Sequence, residues 1–194
     1  INDETMHMLE LAYENVNQAF GQLLQFSDKT DEQIYKREDT VNYLDKVISE
    51  YISTALATPN LNVNISQALS SYYLMLVDIE RISDYAVNMN HQATKRLQGD
   101  MTISEIEIVE HMKKLCVDMK NDLDDVEEAE RKDDVIDSLV SSWREAQIQA
   151  LKQKKCSSEV SMMLSRIFTD FERINDHALN VSQELDKITV EIPD

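Results

Sequence analysis

Glycine and proline each occur only twice in the 194 residues of this chain. Turn-rich β architectures and phosphate-cradling loops need many glycines, to supply positive φ angles and close backbone approach. Sandwiches, barrels, doubly wound dinucleotide folds and P-loops are thereby excluded, which leaves long helices. The apolar pattern agrees, since Met6, Leu9, Tyr13, Val16, Phe20 and Leu23 alternate spacings of three and four and predict a helix over about 2–28. Thr30 and Asp31 are placed to cap a second helix, which carries Ile34, Val41, Leu44, Ile48, Ile52 and Ala55 and stops at Pro59. A third helix runs from Asn64 through Leu69, Tyr72, Leu76, Ile79, Ile82, Ala86 and Met89 to a stop at Gly99.

A second triplet follows. Thr102 opens a helix through Ile106, Val109, Cys116, Met119, Leu123 and Val126, and one beginning near Lys132 carries Ile136, Leu139, Trp143 and Ala150. Ser157 or Ser158 caps the last, through Val160, Met163, Ile167, Phe171, Ile174, Ala178, Val181 and Leu185. The expected fold is all-α, two repeated antiparallel three-helix bundles over residues 1–99 and 100–194, and with 42% apolar residues there is enough for a core.

The two halves repeat each other in detail. Glu80-Arg81-Ile82-Ser83-Asp84-Tyr85-Ala86-Val87-Asn88 stands against Glu172-Arg173-Ile174-Asn175-Asp176-His177-Ala178-Leu179-Asn180. In the middle helices Glu38 to Leu44 stands against Asp133 to Leu139, with Ile48 opposite Trp143 and Ala55 opposite Ala150.

The charge narrows the function. With 19 basic and 37 acidic side chains the formal charge is −18, so nucleic acid and anionic lipid would meet repulsion, whereas cations and basic partners are favoured. Cys116 and Cys156 form neither a disulfide framework nor a thiolate metal site. That cysteine usage fits a reducing compartment, and no apolar run approaches the roughly 20 residues that span a bilayer. The chain begins at Ile1 rather than Met, which suits a piece of a longer protein.

Carboxylates at i and i+4 project from one helix face a turn apart, so Glu80/Asp84 and Glu172/Asp176 each form a two-pronged oxygen site, extended by Asn88 and Asn180. Asp133/Asp137 adds a third prong pair, and Glu38 and Asp133 fall where the heptad calls for an apolar residue, facing neighbouring helices. Like charges at this spacing repel, so matched copies call for a neutraliser, either a metal cation or arginine. All-oxygen donors suit Mg²⁺, Mn²⁺, Ca²⁺ or Fe³⁺. The plainer reading is a solvated acidic face, with Arg81 and Arg173 pairing across a turn.

The doubled E-R-I-x-D-x-A-x-N pattern, at Glu80 to Asn88 and Glu172 to Asn180, resembles the PhoU family over nearly the whole chain. The resemblance implies two three-helix repeats and multinuclear iron or zinc clusters on the bundle surface. It also implies a role in phosphate uptake and signalling beside a phosphate transporter or signalling membrane protein. The same domain forms the cytoplasmic C-terminal part of sodium/phosphate cotransporter-like proteins, so a place at the inner face of the membrane is expected, with self-association between copies as a further expectation. The metal ligands it points to are Glu38, Glu80, Asp84, Asn88, Asp133, Asp137, Glu172, Asp176 and Asn180. Where the second repeat has Asp137 the first has Asn42, so the first site should be the weaker or recruit Asp45.

Two rivals stand beside this reading. One is a purely structural helical adaptor without metal. The other is a carboxylate-bridged oxidase, for which Glu4-x-x-His7 offers one ligand pair where that chemistry needs two. No Ser/His/Asp or Cys/His grouping appears, and no enzyme activity is expected.

Overall fold

The computed structural model describes residues 1–93 and 99–191, and six helices fill most of them. They are α1 (Asn2–Leu24), α2 (Asp28–Leu56), α3 (Val63–Gln92), α4 (Ile103–Asn121), α5 (Val126–Lys152) and α6 (Ser158–Glu191). The expected all-α fold is found, and four boundaries differ from the sequence reading, the first being that α1 ends at Leu24 and not near residue 28. Helix α2 is capped by Ser27, whose hydroxyl accepts from the Thr30 amide, not by Thr30 or Asp31. Helix α3 ends at Gln92, where Ala93 turns extended at ψ 124°; Gly99 lies in a turn after residues 94–98, which are outside the described residues. The break between α4 and α5 falls at 122–125, since Asp125 caps the amide of Glu128 and starts α5 a turn and a half before Lys132.

Glycine scarcity shapes the turns. Helix α5 closes with the Lys155 amide on the Ala150 carbonyl and the Lys154 amide on the Leu151 carbonyl, the paired bonds of a Schellman cap. Lys154 sits at the left-handed position of that cap with φ 56°, where glycine is the usual occupant. Asn60, with φ 59°, is also left-handed, in the turn between α2 and α3.

The helices stack in two layers. The first is the row α2–α3–α6–α5, and α1 and α4 lie across it. The α3–α6 contact is the largest between any two helices and joins the two halves. The pairs Asp78 with His177 and Asn180, Tyr85 with His177, and Gln92 with Arg166 show that these two helices run antiparallel. Beneath the seam, Phe20 of α1 meets Phe171 of α6 edge-on at 6.3 Å, and Trp143 of α5 stacks on Phe168. Among the described residues no helix is long and apolar enough to cross a membrane.

Candidate cation-binding clefts

Two acidic clefts open on the four-helix layer, one between α2 and α3 and one between α5 and α6, at matching positions of the repeat.

In the first cleft Glu38 comes from α2, and Glu80 and Asp84 from α3. Glu38 is 9% exposed, because its position on α2 faces α3. A buried polar chain holds it. Arg37 donates to Asn15 Oδ1 at 2.8 Å, the Asn15 amide donates to Ser83 Oγ at 3.1 Å, and Ser83 donates to Glu38 Oε2. The other carboxylate oxygen, Oε1, is buried with no hydrogen-bond partner. Burial pushes the Glu38 carboxyl above its ordinary range, opposed by the Ser83 hydrogen bond and by the nearby Asn42 side chain one turn on, and reinforced by Asp84 and Asp39. Glu80 is raised too, by burial first and then by Asp84, with Arg81 opposing and Asp45 and Glu38 adding. Asp45 of α2 therefore lies near Glu80. Half-exposed Arg81 stands 3.8 Å from Glu80 and 3.5 Å from Asp84, an arrangement of little energetic weight at the surface.

The second cleft reproduces this pattern in part. Asp133 occupies the position of Glu38, its Oδ1 is likewise buried without a partner, and its carboxyl is pushed up to about 6 by burial, Asp137, Asp176 and Asp134. Asn175 takes the place of Ser83, but its amide donates to the Phe171 carbonyl at 2.7 Å, so the donor that Ser83 supplies to Glu38 is turned elsewhere. Asp137 is exposed, and Asp176 pairs with Arg173 at 3.3 Å, the counterpart of Arg81 with Asp84. Glu172 differs from its counterpart Glu80. Arg144 of α5 binds it at 2.7 Å while also donating to the Ser165 carbonyl and Thr169 Oγ1 and lying over the Phe168 ring.

The amides divide. Asn180 donates to Asp78 Oδ1 at 3.0 Å across the α3–α6 seam, beside the 2.7 Å contact between His177 Nδ1 and the same oxygen, whereas Asn88 is exposed. His177 stacks on Tyr85, its counterpart in the other half, with ring centroids 5.8 Å apart. Arg144 and the Arg37–Asn15–Ser83 chain were not singled out from the sequence. The repeat alignment held the signal for Arg144, since Ser49 is its counterpart. Among the described residues no three His, Cys, Asp or Glu side chains stand close enough to hold a metal ion as they are placed.

Comparison with known proteins agrees with the repeat pattern. The PhoU domain family matches residues 5–93 and 103–185. A relative from Thermotoga maritima, the phosphate-specific transport system accessory protein PhoU homolog 1, is 23% identical over 95% of this chain and 84% of its own length. The crystal structure of PhoU from Pseudomonas aeruginosa superposes with a TM-score of 0.86 at 18% identity, covering 98% of this chain and 96% of that one. The phosphate transport system regulatory protein PhoU from Streptococcus pneumoniae gives 0.81 at 20% identity, covering 100% and 95%. The six-helix layout, the doubled Glu-Arg-Ile motif and the match over both halves together place this chain in the PhoU domain family.

Proposed function

We propose that the chain is a regulatory component of phosphate uptake or phosphate signalling that acts by binding, without chemistry of its own, and whose acidic clefts take polyvalent cations. The observation that carries the cation reading is the repeated one: at equivalent positions of the two halves buried Glu38 and half-buried Asp133 each have one carboxylate oxygen that is itself buried without a hydrogen-bond partner. A buried oxygen in that state costs free energy unless a donor or a cation meets it. The donor set fits a hard cation, which supplies charge neutralisation and a cross-link between helices. Glu38, Asp45, Glu80 and Asp84 would hold it in the first half and Asp133, Asp137 and Asp176 in the second, with iron, zinc, manganese and magnesium as the ions to test. The side chains must close in by rotamer change, and Ser83 fixes which oxygen of Glu38 stays available.

The regulatory part is supported by family membership and by the phosphate-transport name of the Thermotoga relative. The partner is a membrane component of phosphate transport or signalling, such as a sodium/phosphate cotransporter-like protein to which the chain is attached or bound on the cytoplasmic side. A charge of −18 speeds encounter with the basic loops that such proteins present there. The structural-adaptor reading is favoured by the ion pairs Arg81–Asp84, Arg173–Asp176 and Arg144–Glu172, which neutralise part of the motif internally.

Phosphate uptake in cells lacking the chain separates the two. Deletion should alter uptake or its response to external phosphate, the wild-type chain should restore it, and Glu38→Gln with Glu80→Gln should fail to do so while keeping its helical circular dichroism. Full restoration by the double variant would favour the adaptor, and unchanged uptake on deletion would reject the regulatory reading.

A further inference from the structure

We infer that Arg144 is a resident cation of the second cleft, standing where an external ion would otherwise neutralise Glu172, so that the first cleft is the stronger polyvalent-cation site. The inference rests on the cation reading above and reverses the order expected from Asn42 against Asp137.

The comparison of repeats carries it. Glu80 and Glu172 are the same residue of the motif, one in each half. Arg144 projects from α5 to Glu172 at 2.7 Å, and three further contacts hold its guanidinium: the Ser165 carbonyl at 3.3 Å, Thr169 Oγ1 at 3.1 Å and the face of Phe168 at 5.6 Å. A guanidinium anchored on several sides is poorly free to leave, and a carboxylate that it binds makes a poor metal ligand. The first half lacks this device. At the position of Arg144 it has Ser49, whose hydroxyl donates to Asp45 at 3.5 Å, and the position of Asp45 is taken in the second half by fully buried Val140. Exchanging Asp and Ser for Val and Arg thus removes one negative charge and adds one positive charge on a single helix face, both in the same direction.

In the first cleft Glu80 feels Asp84, Asp45 and Glu38, and Glu38 feels Asp84, while the nearby cation Arg81 is half-exposed. The buried oxygen without a hydrogen-bond partner, Glu38 Oε1 here and Asp133 Oδ1 in the second cleft, is common to both halves, so the difference between them lies in Asp45 and Arg144. The half-buried Arg37 of the first half is directed away, donating to Glu14, Asn15 and Gln18 of α1.

Manganese binding, counted by equilibrium dialysis and followed by electron paramagnetic resonance, tests this on the full chain. In the wild type, Glu80→Gln should remove the tightest bound Mn²⁺ and Asp176→Asn should leave it in place. Arg144→Gln should add a second class of comparable affinity, roughly doubling the tight stoichiometry, and Asp176→Asn on that background should remove the added class. Arg144→Lys, which keeps the charge, should stay like the wild type. Thermal melting of each variant establishes that it is folded. If Glu80→Gln and Asp176→Asn each halve wild-type binding, or if Arg144→Gln adds nothing, the role given to Arg144 is overturned while the cation reading stands. No Mn²⁺ in any of the proteins overturns the cation reading itself.

Discussion

Ser83 shows how much one hydroxyl carries. It accepts from Asn15 and donates to Glu38, linking three helices through a site without solvent. Ser83→Ala leaves a buried amide and a buried carboxylate short of a partner and should cost about 1–3 kcal/mol in urea unfolding. Asp170 makes the opposite prediction. Burial alone pushes its carboxyl from 3.8 to about 6, so the folded chain holds this proton more tightly than the unfolded one. The stabilisation is fully present below the unfolded value and is lost as pH rises through about 6. Asp170→Asn should therefore raise stability at pH 7, by about 1–2 kcal/mol given its partial burial, and change little near pH 4. Thermal melts at the two pH values read this directly. Glu38 was legible as a candidate from sequence because a carboxylate stood at an apolar position of the heptad. Arg144 was not, because it reaches its partner from another helix, and local periodicity carries no information about such contacts.

At the scale of the element, periodicity identified all six helices, and it misled at their ends, where α1 stops at Leu24 short of residue 28 and where a buried stripe continues through the break before α5. Met119, Leu123 and Ala129 stay buried on both sides of residues 122–125, so the apolar spacing runs on while Asp125 caps a new helix. Gly99 misled for a related reason: glycine is the strongest stop signal in sequence, yet α3 has already ended at Gln92. Where a glycine is wanted, at the end of α5, the chain has Lys154 at φ 56°. Lys154→Gly keeps both cap hydrogen bonds and removes the side-chain strain of the left-handed region, so it should stabilise the protein by about 1 kcal/mol. A chemical denaturation midpoint that falls instead would show that the cap geometry is not the one described.

For the molecule as a whole, the internal repeat was the most informative signal, because it gave both the layout and the comparison of one half with the other. Its mirror-like matches survive in the structure as paired clefts, and its mismatches, Asn42 with Asp137 and Ser49 with Arg144, are where the halves part. The antiparallel α3–α6 seam was hidden from sequence, since Asp78 meets His177 and Asn180 only after the two halves dock. The central claim is that the clefts are ligand sites and not merely solvated acidic faces of a chain with charge −18. The most direct measurement is the melting temperature in Mn²⁺, in Mg²⁺ and in sodium chloride at matched ionic strength, for the wild type and for Glu80→Gln. Preferential binding to the folded state should raise the wild-type midpoint in Mn²⁺ well beyond sodium chloride, in a concentration-dependent way that Glu80→Gln removes. Equal rises in every salt, undiminished in the variant, would mean that simple screening of the net charge is enough, and would contradict the claim.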